Sequence, residues 1–220
     1  MLLTCEHASE HLPEPWQWPV GDRWILGTHW AYDPGADWLT RELTEELGAV
    51  AVLSRFSRLL ADPNRAEDAP DLIRTRAEGR DVELNRNVDT TERERRLVRL
   101  YRPYHAAIDR EVGRSRAPLL LAIHTFTPVY EGMRREVEVG VLFDEEEALA
   151  ERFRRAIAGA GLVTRMNEPY SGRTGLMYAV DRHARAHGRR ALELEVRQDL
   201  VRDEAVRRRL RQALCSVLRL

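Results

Sequence analysis

The chain contains no lysine, so all 35 of its basic residues are arginine. Without lysine a protein cannot form a Schiff base through that side chain, and it cannot use the lysine of a Gly-x-x-x-x-Gly-Lys phosphate loop. Its two cysteines, Cys5 and Cys215, form no Cys-x-x-Cys motif and are too few for a disulfide framework. These absences exclude several chemistries, and they predict reduced, buried thiols in a cytoplasmic protein.

Charge and hydropathy exclude further classes. A net charge of −1 over 220 residues gives no general attraction to nucleic acid or to an anionic membrane. No apolar run approaches the roughly 18 residues of a membrane span, and the first residues lack the basic segment of a signal peptide. We therefore expect one cytoplasmic domain, residues 1–220, that acts on a small molecule; its oligomeric state is left open.

Apolar runs bounded by turn residues alternate with helical patterns along the chain. They predict strands at 2–6, 49–53, 119–123, 137–143, 162–166 and 191–196, and helices at 33–47, 92–115, 145–159, 176–187 and 204–218. Strands that alternate with helices predict a three-layer α/β fold, a mostly parallel sheet with helices on both faces. The long irregular connection at 55–87 is expected to be functional or mobile.

Two of the predicted strands end at a histidine. His7 follows the first strand, and His124 follows the strand at 119–123. Ligands of open α/β sheets bind outside the carboxyl ends of the strands, and imidazole is the commonest side-chain metal ligand. The two histidines therefore predict a divalent metal site at one edge of the sheet.

A carboxylate is expected as the third ligand, and two candidates stay open. Asp33 begins the first predicted helix, which must pack near the first strand, and its alternative role is a helix N-cap. Glu10 has His-x-x-Glu spacing from His7, and its alternative role is an exposed loop acid. Glu6 is expected to point away from His7, because successive strand side chains face opposite sides. His29 is expected to enter the site or to support a ligand.

Glu195 is the candidate general base. The segment 191–196 alternates, so Glu193 and Glu195 share a face of the last strand. An ionised acid in a buried strand is costly unless it is paired, and Arg197 on the same face offers a purely structural partner. Beside a divalent ion, Glu195 would instead take a proton from the attacking water and return it to the leaving amine.

Several arginines lie in predicted loops, among them Arg58, Arg65, Arg134 and Arg173. Arginine binds carboxylates through two parallel donors, so loop arginines near a metal indicate an anionic substrate. A solvated surface position is the alternative for each. Other chemistries find no motif, since the chain has neither a Gly-x-Ser-x-Gly elbow nor a Gly-x-Gly-x-x-Gly fingerprint.

Seven segments occur in the order seen in the N-formylglutamate amidohydrolase family, which this sequence resembles from residue 3 to about residue 200. They are residues 3–9, 29–36, 57–65, 101–105, 123–128, 167–170 and 194–200. Each motif is short, and the ordered set is specific. One departure is Glu10, where the family often has asparagine, and this leaves the third metal ligand open.

The resemblance implies a phosphorylase/hydrolase-like α/β fold, similar to zinc exopeptidases. It implies a metal-dependent hydrolysis, most simply of N-formyl-L-glutamate to formate and glutamate, with zinc or another divalent metal as cofactor. The residues it implies are His7, Asp33 and His124 as ligands, Glu195 as base, and Arg65 and Arg134 facing an anionic substrate. Two alternatives stay open: an amidase or deacylase for another N-acyl amino acid or peptide, and a binding protein without catalysis.

Overall fold

The computed structural model describes residues 1–218 of the chain. Its strands are β1 (Leu2–Cys5), β2 (Val50–Leu53), β3 (Arg76–Ala77), β4 (Arg80–Asp81), β5 (Leu119–Phe126), β6 (Val129–Tyr130), β7 (Met133–Arg134), β8 (Val139–Leu142), β9 (Thr164–Met166) and β10 (Arg190–Arg197). Six of them form the central sheet, in the order β2-β1-β5-β10-β8-β9. The others form two small hairpins, β3 with β4 and β6 with β7.

The central sheet is mostly parallel. Strands β2, β1, β5 and β10 run in one direction, whereas β8 pairs antiparallel with β10 and β9 runs parallel to β8. The predicted strand at 119–123 extends to Phe126, because β5 pairs with β10 over its whole length. The carboxyl ends of β1, β5 and β10 therefore meet at one edge.

Helices cover both faces of the sheet. They are α1 (Ala36–Leu47), α2 (Thr90–Arg96), α3 (Arg102–Arg114), α4 (Glu147–Gly159), α5 (Tyr178–Ala186), α6 (Gln198–Val201) and α7 (Glu204–Leu218). Apolar side chains of α1, α4 and α7 pack on one face, against strand residues such as Leu121 and Leu194. Those of α3 and α5 pack on the other, against Leu120 and Ala122. The predicted three-layer α/β fold is confirmed.

Two predicted helices differ from the observed ones at informative places. The helix expected from residue 33 begins at Ala36, after Gly35 in the left-handed region (φ 90°), and the Asp33 side chain caps no backbone donor there. The helix expected at 92–115 contains a π turn at Leu97–Tyr101, just before Pro103. Proline removes a backbone donor from a helix, and π turns are common where the regular hydrogen-bond ladder is interrupted.

Among residues 1–218, none of the helices combines the length and the apolar character that crossing a bilayer requires.

Candidate metal centre and substrate cavity

The sheet topology brings the predicted histidines together. Strands β1 and β5 are parallel neighbours, so His7, two residues beyond β1, lies beside His124 near the end of β5. The backbone N–H of Asp33 donates to the carbonyl oxygen of His7 at 2.9 Å, which fixes the segment before α1 against the same edge. All three side chains are buried, with at most 4% of any residue exposed.

One side-chain atom of each residue converges on a common point. Oδ2 of Asp33 lies 3.3 Å from Nδ1 of His7 and 2.8 Å from Nδ1 of His124. The two imidazole rings are edge to face, with their centroids 4.8 Å apart. Two imidazoles and one carboxylate are the donor set of many catalytic zinc sites, which leave a fourth position for water or substrate.

A second carboxylate lies behind each histidine. Nε2 of His7 is 2.7 Å from Oδ1 of Asp62, and Nε2 of His124 is 2.9 Å from Oε2 of Glu6. An imidazole that donates its Nε2 proton to a carboxylate presents the lone pair of Nδ1, and this arrangement is typical of metal-bound histidines. With the proton on Nε2, both Nδ1 atoms would face Asp33 as acceptors, and a cation between the three atoms would be the partner they share.

The two supporting carboxylates are themselves held in place. Arg58 donates to Oδ2 of Asp62 from Nη2 at 2.6 Å and from Nε at 3.1 Å. The hydroxyl of Tyr104, in α3, donates to Oε1 of Glu6 at 3.0 Å. Each imidazole is thus oriented by an acid that has a partner of its own.

The electrostatics of the cluster favour a positive charge at its centre. Burial acts to lower the pKa of His124, but the carboxylates of Glu193, Asp33 and Glu6 hold that pKa well above its usual range. Burial acts to raise the pKa of Asp33, and the two imidazoles lower it instead. The residues present therefore fit a divalent cation in both donor chemistry and charge.

Glu10, the other candidate for third ligand, lies outside this cluster. Its Oε2 accepts a hydrogen bond from the backbone N–H of Gly27 at 2.6 Å, in the loop after β1. Among residues 1–218, the group whose ligand atoms lie close enough together to hold a metal ion is His7, Asp33 and His124. Of the two candidates, Asp33 is therefore the one placed to act as a ligand, and its carboxylate contacts both histidines instead of capping the helix.

The two glutamates of β10 face the same cavity. Glu195 is the register partner of His124, and Glu193 Oε2 lies 3.6 Å from His124 Nε2. Each glutamate has an Oε2 atom that is buried without a hydrogen-bond partner. Burial raises the pKa of Glu193 to about 7 and that of Glu195 well above its usual range. Within residues 1–218, Arg197 does not pair with Glu193 or Glu195, the purely structural role that was the alternative; its Nε donates to Oδ1 of Asp199 at 2.8 Å.

A cavity of about 250 Å³ opens beside the cluster. Its charged lining combines the metal-site residues and both glutamates with three arginines, and aromatic rings form much of the remaining wall. The arginines are Arg58, Arg65 and Arg74, and the aromatic side chains are His29, Trp30, Phe126, Tyr130 and Tyr170.

The structure places the two predicted substrate-binding arginines differently. Arg65 lines the cavity, and its Nε donates to Oδ2 of Asp71 at 2.9 Å. Arg134 lies in β7 outside the lining, with 75% of its side chain exposed and its nearest acid, Asp199, at 4.0 Å. Arg173, another loop arginine, binds Glu147 at 3.0 Å on the surface.

Sequence reasoning missed Asp62 and underrated Glu6. Glu6 was expected to point away from His7, and its side chain contacts His124 on the neighbouring strand. Asp62 lies in the irregular segment at 55–87, where no periodicity fixes which side chains turn inward. Its one signal was its place within the motif at 57–65.

The fold and the cluster define an α/β protein with a two-histidine, one-carboxylate site at the carboxyl edge of its sheet. The family model described as N-formylglutamate amidohydrolase matches residues 1–202. The chain belongs to this family, and is by family an amidohydrolase.

Two solved structures are similar over nearly the whole chain. A gene product from Agrobacterium tumefaciens is 34% identical with a TM-score of 0.88, and the match covers 98% of this chain and 90% of that one. An N-formylglutamate amidohydrolase from Ralstonia eutropha is 20% identical with a TM-score of 0.74, covering 99% and 93% of the two chains. The second likeness shows the fold alone. No curated protein sequence matches.

Proposed function

We propose that this protein hydrolyses the amide bond of an N-acyl amino acid, with N-formyl-L-glutamate as the first candidate and zinc, or another divalent metal, held by His7, Asp33 and His124. The observation that carries the proposal is the convergence of these three ligand atoms beside an unpartnered carboxyl group on β10. Family membership supports the reaction class.

A bound divalent ion would polarise the acyl oxygen and lower the pKa of the attacking water. Glu195 is the group on this chain that would accept the proton of that water, because Oε2 is free of other partners and faces the cavity. It would then return the proton to the nitrogen of the leaving amine. A carboxyl group accepts a proton only in its ionised form, and the positive charge of a bound divalent ion would oppose the effect of burial, which raises the pKa of Glu195.

The cavity favours a small, anionic substrate. Its volume of about 250 Å³ is below the range of pockets that hold drug-sized ligands. Arg65 lines it and could donate to a carboxylate, in keeping with the prediction for that residue. For Arg134 the same role stays a prediction, because its exposed side chain would have to turn toward the cavity.

The test is a hydrolysis screen over N-formyl, N-acetyl and N-succinyl amino acids, with protein dialysed against zinc. We expect release of the acyl acid from at least one N-acyl amino acid, and from N-formyl-L-glutamate first. Hydrolysis of a compound with another acyl group would still support an amidohydrolase, but it would replace N-formyl-L-glutamate as the substrate. A protein that binds these compounds and hydrolyses none of them, with or without zinc, would be the non-catalytic binding protein.

A further inference from the structure

One partly buried guanidinium beside the cavity has no role in the site described so far. Arg135 follows the β6–β7 hairpin, and its Cζ atom lies 5.3, 4.9 and 5.1 Å from the ring centroids of Phe126, Tyr130 and Tyr170. All three rings line the cavity, whereas Arg135 itself is not among the lining residues and lies against the rings. Arg135 is therefore held against the aromatic wall that the substrate would meet.

The hydrogen bonds of Arg135 leave most of its donors unused. Nη2 donates to the hydroxyl of Tyr170 at 3.1 Å, and Nη1 donates weakly to the carbonyl oxygen of Thr127 at 3.5 Å. A guanidinium carries five N–H donors. Over the part of the chain that the structure describes, no carboxylate lies within ion-pair distance of this one, whereas Arg58 and Arg65 are paired with Asp62 and Asp71.

A positive charge that is partly withdrawn from water by aromatic rings, and that lacks an acid partner, favours an anion from outside the chain. The charge of Arg135 also acts on a residue of the cavity lining. The pKa of His29 is lowered mainly by burial, and the charges of Arg58 and Arg135 lower it further. The planar fork of arginine matches a carboxylate through two parallel hydrogen bonds.

We propose that Arg135 binds a carboxylate of the substrate and so selects acidic N-acyl amino acids over neutral ones. The inference rests on the proposed function, which places the substrate in this cavity. It assigns to Arg135 the role that the sequence had suggested for its neighbour Arg134. Successive side chains of an extended segment point to opposite sides, and here Arg135 is the one that meets the cavity rings.

A surface arginine that no part of the site uses gives a matched control. Arg155→Gln removes the same charge from α4, from a side chain that is 74% exposed and outside the cavity lining. Arg135→Gln removes the proposed contact, and Arg135→Lys keeps the charge but loses the planar fork. Three substrates complete the design: N-formyl-L-glutamate, N-formyl-L-glutamine and the α-amide of N-formyl-L-glutamate.

We expect Arg135→Gln to lower kcat/KM for N-formyl-L-glutamate by about 10- to 100-fold, the range for a hydrogen-bonded charge contact. One of the two singly amidated substrates lacks the carboxylate that Arg135 contacts. For that substrate, kcat/KM of Arg135→Gln and of the wild type should agree within about twofold, because the contact is absent in both. Arg135→Lys should be intermediate, and Arg155→Gln should match wild type throughout. Equal losses for all three substrates would mean a structural role, and no loss for N-formyl-L-glutamate would also overturn the inference.

Calorimetric binding of N-formyl-L-glutamate separates this inference from the proposed function. If the wild type hydrolyses no N-acyl amino acid, the proposed function fails, and a tenfold weaker binding to Arg135→Gln still supports the carboxylate contact. If the wild type hydrolyses the substrate while binding and selectivity are the same in Arg135→Gln, the inference fails and the proposed function stands. Absence of binding to the wild type, together with absence of hydrolysis, contradicts both.

Discussion

Replacing Asp62 by asparagine should weaken metal binding without changing any metal ligand. Oδ1 of Asp62 lies 2.7 Å from His7 Nε2, and Oδ2 accepts from Arg58 at 2.6 Å. Burial acts to raise the pKa of Asp62, yet the charges of Arg58 and His7 hold it well below its usual range, so the carboxylate stays ionised. Asparagine can still accept the Nε2 proton, but it lacks the negative charge that makes His7 a stronger donor to the metal.

The expected loss follows from that geometry. Removing an acid that supports a metal-bound histidine typically costs 10- to 100-fold in metal affinity, or about 1.4 to 2.7 kcal/mol. Glu6→Gln, behind His124, should give a loss of similar size. Tyr104→Phe should cost less, because that hydroxyl touches Glu6 and not the histidine. The assay is competition for zinc against a chromophoric chelator.

Asp71→Asn is the control for these variants. Asp71 also pairs with a cavity arginine, Arg65 at 2.9 Å, but its side chain is 45% exposed and it contacts neither histidine. The zinc affinity of the Asp71→Asn protein should stay within about twofold of the wild-type value. A folded Asp62→Asn protein that binds zinc as tightly as wild type would refute the assignment of Asp62 as the group that orients His7.

Glu195→Gln should lower kcat by about 10²- to 10⁴-fold, as expected for a general base, while a zinc titration finds the metal still bound. Burial and a neighbouring histidine lower the pKa of His105 to about 3. As the pH falls, His105 is therefore protonated in the unfolded state before it is protonated in the folded state. The contribution of neutral His105 to the free energy of unfolding is full above pH ~6.5 and falls by about 1.4 kcal/mol per pH unit below it. His105→Gln should flatten this part of the Tm–pH curve, and an unchanged slope would contradict the argument. A Cβ at Gly140 would collide with the carbonyl oxygen of Glu168 and touch Glu195. Gly140→Ala should therefore lower the free energy of unfolding, measured in urea, by about 1 to 3 kcal/mol. Gly159→Ala is the control, because a Cβ at Gly159 meets no other atom, and it should not destabilise the protein.

The layers of the fold could be predicted because the hydrophobic periods are clear. Alternating strands and helices give a mostly parallel sheet, and the two histidines that end separate strands must then lie at one edge. The direction of β8 could not be predicted in this way. No helix lies between β5 and β8, so the rule of right-handed helical crossovers does not fix how β8 is placed.

The candidate ligands could be predicted and the residues that support them could not. His124 and Glu195 stand on strands and His7 lies two residues beyond one, so position along the strand decides which edge each side chain reaches. Asp62 lies in an irregular segment whose course is fixed by distant contacts, such as the side-chain amide of Asn85 with the carbonyl oxygens of Leu59 and Arg74. Such contacts leave no period in the sequence.

The same reasoning explains the arginines. Arg65 lines the cavity, Arg135 lies against three of the aromatic rings that line it, and Arg134 is exposed on the surface. In a chain with 35 arginines, residue type alone carries little information about which one faces a substrate. One residue of register in a hairpin exchanges an inward side chain for an outward one, and the sequence of the β6–β7 hairpin does not fix that register.

The central claim, that His7, Asp33 and His124 hold one divalent ion, is tested most directly by metal stoichiometry. Wild-type protein dialysed against zinc and then against buffer should retain one zinc per chain by elemental analysis. His124→Ala should retain none, while its circular dichroism spectrum is unchanged. His11→Ala, which alters an exposed histidine, is the control and should retain one. A wild-type protein that retains no zinc, or a His124→Ala protein that retains as much as wild type, would contradict the account.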